Sequence, residues 1–354
     1  MSDTVGDSSA FEALLFLSFG GPERVEDVRP FLENVTRGRG VPPERFEEVV
    51  QHYLHFGGVS PINRLNLAMI DALGAELTRR GRDLPIYFGN RNWHPMAAEA
   101  TRRIYDDGHR RVLVFPTSAW GGYSGCRQYH EDIAAALGAG LPADDPSFVM
   151  RKLPQFSTES KFIEAAVSAL RTALGEFERT PRVVFTAHSI PTSADRNAGP
   201  AVDGGHLYSR QVRAAAAAVA QALGIEEFDV VWQSRSGPPQ IPWLEPDICD
   251  HLRDLAADGV RDVAVMPIGF VSDHLEVIWD LDAEARGVAD DLGLNYVRVP
   301  TVGTDPTFIS LIADLVERYV DGGGDTAAMG CGDNGALCRP DCCVPARRPA
   351  RSTA

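Results

Sequence analysis

Two groups of residues have types and spacings suited to acid–base or metal chemistry. His188 directly follows the apolar run VVFTA and precedes Ser189, Ile190 and Pro191, which puts an imidazole at the carboxyl end of a buried strand. An imidazole there can take up a proton or ligate a metal near neutral pH; the plain alternative is a satisfied structural histidine. In SDHLEVIWDLDAE, the residues Glu276, Asp280 and Glu284 are spaced four apart, so a helix stacks three carboxylates along one face. Like charges at that spacing cost about 0.2–0.5 kcal/mol per pair, so helix propensity does not favour them. The row reads either as a solvated acidic face or as hard oxygen ligands and proton acceptors. It follows the strand-like run VAVMP, and open α/β sheets bind their ligands beyond the carboxyl ends of strands. Four of the six cysteines, Cys331, Cys338, Cys342 and Cys343, fall after residue 330. Their spacing, C-x6-C-x3-C-C, is no standard zinc knuckle.

These residues need a frame to bring them together. ALLFLSF (13–19) reads as a first buried strand ending at Gly20-Gly21-Pro22, with helical patterns at 23–35, 47–58 and 63–80. Strands follow at 85–90 and 111–116, separated by a helix at 97–107, and then a Gly-rich loop, SAWGGYSGCRQY. Residues 138–160 have the Pro, Asp and Ser content of a connector. The second half repeats the alternation: helices at 162–177, 208–223, 246–257, 276–292 and 306–320, with strands at 182–188, 229–233, 263–267 and 296–300. Alternating strands and helices imply right-handed βαβ units and mainly parallel sheets. The halves also resemble each other. DGHRRVLVFP and DGVRDVAVMP align, with Trp93 and Trp243 lying upstream at similar distances. The expected fold is α/β, with two similar domains facing a cleft: 11–150, then 151–320 carrying His188 and the acidic helix, then a Cys-rich tail at 321–354 whose basic end is mobile.

Composition narrows the partners. The net charge, 34 − 49 = −15, argues against nucleic acid or an anionic membrane, and an anionic substrate would need a local Arg or Lys cluster. The N-terminal MSDTVGDSSAFEA is polar and acidic, and no apolar run approaches a membrane span, so a cytoplasmic protein is expected. In a reducing compartment the cysteines are thiols or metal ligands before they are disulfides. There is no GxxxxGK[ST], RGRGVPPE lacks a dinucleotide fingerprint, and Ser124 in GGYSGC falls one residue short of a GxSxG elbow.

In order, spacing and type, LLFLSFGGP, HFGGVSPINR, TAHSIP, WQSRSGP with PWLEPD, and PIGFVSDHLEVIWDLDAE resemble the ferrochelatases over nearly all of residues 13–320. That family inserts ferrous iron into a porphyrin. The resemblance implies two Rossmann-like domains, with His188 and Glu276 as the active-site pair and His188, Glu276, Asp280 and Glu284 as metal-handling residues. Insertion must remove two pyrrole protons from a flat macrocycle and desolvate Fe²⁺; an imidazole can accept protons, and carboxylates offer oxygen ligands or a proton exit. By the same resemblance Arg37 and Arg39 in NVTRGRG meet the porphyrin's carboxylates, and Ser60 and Tyr123 line it. Phe19 stands where many bacterial relatives have a tyrosine that can contact iron. Phenylalanine cannot ligate, so it packs against the ring or belongs to the core.

The Phe19 variant, the YSGCRQY loop and the tail resemble actinobacterial members that act on coproporphyrin III, giving Fe-coproporphyrin III (coproheme) for a downstream coproheme decarboxylase. The alternatives are a protoporphyrin IX ferrochelatase and a non-catalytic porphyrin or haem carrier. Some ferrochelatases hold a [2Fe–2S] cluster with C-terminal cysteines and one internal cysteine. Here the resemblance implies Cys126, Cys331, Cys338 and one of Cys342 or Cys343. Structural zinc or unligated thiols are the other readings. Cys249 is expected to be buried and inert.

Overall fold

The computed structural model describes residues 10–38, 40–139, 141, 145–237 and 240–346. Its strands are β1 (Ala13–Ser18), β2 (Ile86–Asn90), β3 (Arg111–Pro116), β4 (Val149–Lys152), β5 (Arg182–His188), β6 (Phe228–Gln233), β7 (Asp262–Met266), β8 (Asn295–Arg298) and β9 (Gly332–Asp333). They form two sheets, ordered β2-β1-β3-β4-β9 and β6-β5-β7-β8. Within each, neighbours run parallel except β9, which adds antiparallel to β4. All six residues of β1 are buried, as a strand covered on both faces requires. The architecture is α/β with two mainly parallel sheets.

The internal repeat is visible in the topology. In both sheets the second strand of the half lies at the edge, the first next to it, then the third and fourth. DGHRRVLVFP forms β3 and DGVRDVAVMP forms β7, so the aligned segments occupy equivalent strands. After β2 and after β6, a Trp is followed by a cis-proline, His94–Pro95 and Glu245–Pro246. Each then leads into a ten-residue helix, Ala97–Asp106 and Ile248–Ala257.

Side chains alternate across each sheet. Leu14, Phe16, Leu113 and Phe115 from one sheet, with Phe185, Ala187 and Met266 from the other, face a shared core. That core is filled by the helices Ile62–Arg79, Ser160–Leu174, Leu207–Leu223 and Pro306–Val320. The opposite faces, Leu15 and Val114 in one sheet and Val184 and Val265 in the other, are covered by separate helices. One apolar centre therefore holds both sheets in a fixed relation, with the closing helix Pro306–Val320 packing on Ile62–Arg79 and on β3. Arg80 reinforces that contact, pairing with Asp314 at 2.7 Å and Glu317 at 2.8 Å.

Two segments differ from expectation. The stretch read as a connector contains β4, and the helix Gln128–Gly138 ends at its start. β4 is four residues long and finishes in Arg151 and Lys152, so its charge conceals a strand whose Lys152 is fully buried. The tail contributes β9, with Arg151 paired to Asp333 at 2.7 Å and Asn334 bonded both ways to the Met150 backbone at 2.8 Å. Its basic end, 347–354, lies outside the described residues.

The turn after β7 sets the position of everything downstream. The Gly269 N–H donates to the Thr186 carbonyl on β5 at 3.0 Å, while its carbonyl accepts from Trp120 Nε1 of the first half at 2.8 Å. A Cβ on Gly269 would stand 2.6 Å from the Ala187 Cα, too close for any side chain. We expect Gly269→Ala to lower stability by about 1–3 kcal/mol, measured by urea denaturation. An unchanged midpoint would show that the turn can move away from β5 at no cost.

Candidate active site

His188 closes β5, whose preceding residues Val183–Ala187 are all buried. Its carbonyl accepts from the Tyr208 hydroxyl at 2.8 Å, and the next residue's N–H donates to the Gln233 carbonyl at 2.7 Å, so the backbone is clamped on two sides. The ring Nδ1 lies 2.5 Å from the Ser189 carbonyl. A carbonyl only accepts, so Nδ1 carries a proton and Nε2 is the nitrogen turned toward the cleft.

The acidic segment faces it. The helix begins at Leu275 with His274 as N-cap, just after Ser272 and Asp273, whose short polar side chains are the more usual capping types. Those two are otherwise engaged: Asp273 pairs with Arg298 at 3.0 Å, and Ser272 lies 3.4 Å from Asn66, itself bonded to Ser18 at 2.7 Å. From Trp279 to Glu284 the helix widens into a π-turn before resuming at Ala285. Residues four apart on a regular α-helix drift by about 40° around the axis. A wider turn advances less per residue and takes back part of that drift, keeping Glu276, Asp280 and Glu284 in line.

The structure brings His188 and Glu276 together, Nε2 to Oε1 at 3.6 Å, with side chains 34% and 41% exposed to the cleft. At that separation the pair is an ion contact rather than a hydrogen bond. Burial pushes the His188 imidazolium down, but the Glu276 carboxylate more than offsets it and the net displacement is upward. Burial opposes ionisation of Glu276 in turn, yet His188 holds its carboxyl down at about 2. Asp280 is different. Burial and the Glu276 charge push it up to about 7, against the Ser234 hydroxyl that donates to it. Gln233 Nε2 also donates to it at 3.3 Å, and Gln233 is held by Thr186 at 2.8 Å. Glu284 is exposed and acts on both Asp280 and His52. The row thus runs from a charged pair in the cleft, through a carboxyl poised near neutrality, to solvent.

Sequence reasoning missed several neighbours. His274 feels both Glu276 and His188, and burial holds it below its ordinary range. It sits inside the quoted SDHLE motif, which was the available signal. From the first half, His52 stacks on Trp279 at 3.8 Å, His55 and Phe56 meet the same indole edge-on, and burial and Glu276 raise Tyr53. Their three-to-four spacing in QHYLHF marked an aromatic helix face turned to the cleft.

The other expected residues are placed as follows. Phe19 packs edge-on against Phe31 at 6.2 Å in a small aromatic cluster with Tyr53 and Trp93. Ser60 is buried against Gly21. Tyr123 begins a π-turn, Tyr123–Arg127, and its hydroxyl donates to Glu131 at 3.0 Å. Arg37 is exposed at the end of the helix Val28–Thr36. Arg39 lies outside the described residues.

A second gathering involves sulfur. Cys126, Cys331, Cys342 and Cys343 are buried and Cys338 is half-buried. Cys342 and Cys343 Sγ atoms lie 3.6 Å apart, and Cys343 Sγ accepts the N–H of Gly122 at 3.2 Å and of Gly199 at 3.3 Å. Contact with Cys126 and Cys342, with those two N–H groups, pulls the Cys343 thiol down. His130 is buried beside them with both ring nitrogens unpartnered. Among the described residues, no three His, Cys, Asp or Glu side chains converge as ligands of one metal ion would. Cys249 stands apart on Ile248–Ala257, half-buried, its thiol pushed up to about 12 by burial and Asp247.

Residues 11–320 match the family model described as Ferrochelatase. The chain belongs to the ferrochelatase family. The coproporphyrin III ferrochelatase of Nocardia farcinica (strain IFM 10152) is 58% identical over 353 residues, covering 96% of this chain and 99% of that protein. That of Mycobacteroides abscessus is 53% identical, covering 94% and 98%. The sirohydrochlorin chelatase SirB from Bacillus subtilis subspecies spizizenii, in complex with cobalt, aligns with a TM-score of 0.53 at 12% identity, over 88% of this chain and 96% of that one. This last likeness speaks for the fold. Among the described residues no helix is long and apolar enough to cross a membrane.

In this ferrochelatase the displaced Asp280 carboxyl has a thermodynamic signature. Its native pKa, about 7, lies above the ordinary 3.8, so between those values the native state keeps a proton that the unfolded chain has lost. Stability therefore falls as pH rises through that window, by up to about 4 kcal/mol. Asp280→Asn removes that slope. We expect the variant to be the more stable protein above pH ~7, with the advantage gone near pH ~4, as followed by urea denaturation at a series of pH values. Parallel pH profiles would contradict the displaced carboxyl.

Proposed function

We propose that this ferrochelatase inserts ferrous iron into coproporphyrin III, giving coproheme for a downstream decarboxylase in the cytoplasm, with His188 and Glu276 at the reacting centre. The observation that carries the reading is the His188 Nε2–Glu276 contact of 3.6 Å at the carboxyl ends of β5 and β7, with Asp280 behind it. The relatives' shared name supports coproporphyrin III as the substrate.

The division of labour follows from the protonation states. The porphyrin must give up two N–H protons as Fe²⁺ enters, while iron keeps its oxidation state. When neutral, His188 keeps its proton on Nδ1 and offers the Nε2 lone pair to a pyrrole N–H. Glu276 stabilises the imidazolium that forms. Asp280 takes each proton on from His188, resetting the imidazole for the second transfer, and Glu284 passes both protons to solvent. The same carboxylates are hard oxygen donors suited to the incoming ferrous ion. Phe19 and Tyr53 offer an apolar wall to the macrocycle, and Ser60 and Tyr123 contact it. Arg37 and Arg39 supply guanidinium groups for its carboxylates.

We further propose a [2Fe–2S] cluster on Cys126, Cys331, Cys338 and Cys343. A single zinc needs its ligands gathered around one point, whereas a binuclear cluster divides four thiolates between two irons. Of the adjacent pair, Cys343 is favoured because two backbone N–H groups already point at its sulfur. When bound, such a cluster supplies one-electron redox capacity and cross-links the tail to the Tyr123–Arg127 turn.

His188→Ala is expected to cut kcat by about 10²–10⁴ while porphyrin affinity, read by fluorescence quenching, changes only a few-fold; near-normal turnover would remove His188 from the reaction. For the wild type, kcat/KM should favour coproporphyrin III over protoporphyrin IX, with the gap narrowed by Arg37→Ala. The reverse preference would assign the two-carboxylate substrate instead. Purified protein should be coloured and contain iron and sulfide. Zinc without sulfide would defeat the cluster, and a cluster retained in Cys126→Ser would refute that ligand alone.

A further inference from the structure

β4 ends in a lysine with no access to solvent. Lys152 is 0% exposed, and its Nζ donates to the Gly330 carbonyl at 2.6 Å, Gln155 Oε1 at 2.9 Å and the Leu153 carbonyl at 3.3 Å, with Cys126 Sγ at 4.0 Å. Three neutral oxygens match the three N–H donors of an ammonium, so the geometry calls for the charged form. No carboxylate of the described residues is among these partners. A buried cation without an anion is costly, and natural proteins pair such charges. A thiol is the group able to supply negative charge here, Cys126 Sγ lying 4.0 Å from Nζ.

The lysine also occupies a structural junction. Gln155, which accepts from Nζ, donates through Nε2 to the Gly125 carbonyl at 2.7 Å. Lys152 and Gln155 together therefore hold the carbonyls of Gly125 and Gly330, the residues immediately before Cys126 and Cys331. Directly at Gly330 and through Gln155 at Gly125, the lysine links the internal cysteine's loop to that of the first tail cysteine before any metal arrives, and it brings the positive charge that a thiolate-ligated group lacks.

We propose that Lys152 is the fixed countercharge of the iron–sulfur cluster, holding its ligand loops in register and raising its reduction potential. The proposal rests on the cluster reading above. Each one-electron reduction makes the cluster more negative by one unit beside a side chain that water does not reach. A neighbouring ammonium therefore favours the reduced form more than the oxidised one. The residue is a positioning and tuning group, not a ligand.

The test compares wild type, K152M and K152R in iron and sulfide content and in a mediated redox titration at one pH. We expect K152M to be at least tenfold harder to reduce, a fall of about 59 mV for one electron, and K152R to stay near wild type. Should K152M emerge without iron and sulfide, K152R decides. Retention there supports the countercharge, because it restores charge without restoring the lysine's shape. Loss in both variants, or an unmoved potential in a loaded K152M, overturns it. A wild type lacking iron and sulfide overturns the cluster reading and this inference with it, an outcome distinct from a loaded wild type indifferent to K152M.

Discussion

A single close approach governs the geometry of the site. The acidic helix can face His188 only because the turn before it lies directly against β5, with Gly269 bonded to Thr186 and so close to Ala187 that a Cβ on it would stand 2.6 Å from the Ala187 Cα. The same glycine receives the indole N–H of Trp120 from the other half. Both sheets therefore meet at one backbone unit, and the His188–Glu276 contact follows from that meeting. A charged pair of this kind is costly to hold partly out of water, and it persists where the surrounding framework leaves the groups nowhere else to go. Here the framework is the shared apolar core together with the clamps on the His188 backbone.

The two halves repeat one topology and supply different chemistry. The ends of β1 and β2 and the helix Pro43–His55 bring Phe19, Tyr53 and Trp93, packed around Phe31. The ends of β5 and β7 bring His188, His274, Glu276 and Asp280. A flat macrocycle with acidic N–H groups at its centre needs an apolar surface on one side and proton acceptors on the other. Duplication of a βαβ unit followed by divergence at strand ends answers that need, since strand-end residues can change without disturbing the core.

Much of this was legible in the sequence because the signals are local. Continuous apolar runs located seven of the nine strands among the described residues, and the DGHRRVLVFP and DGVRDVAVMP match located equivalent strands in the two sheets. His188 was readable from its place after VVFTA, and the carboxylate row from its spacing. What escaped depends on partners distant in the chain. β4 looks polar because Lys152 is buried against residue 330, and β9 is two residues long and exists through pairing with β4. The π-turn in the acidic helix leaves no compositional trace. His274 drew no notice beside the carboxylate row until the fold brought it near Glu276 and His188, and Tyr53 looked like ordinary helix until Glu276 arrived from the other half.

The sulfur site and the reacting centre share supports. Cys343 accepts N–H groups from Gly122 and Gly199. Gly121 and Gly199 both press on Leu207, leaving no room for a Cβ, and the next residue is Tyr208, whose hydroxyl holds the His188 carbonyl. From the tail to the imidazole the route is a few contacts long, through the Gly121, Gly122 and Gly199 backbone and the Leu207 and Tyr208 side chains. Its consequence is for stability more than for signalling. Whatever orders the cysteine tail also orders the Gly121–Gly122 and Gly199 backbones, and with them the seat of Tyr208. Loss of order at the cysteines then costs the protein more than a loose end, because the residue loosened at the far end of the route is Tyr208, which holds the His188 carbonyl.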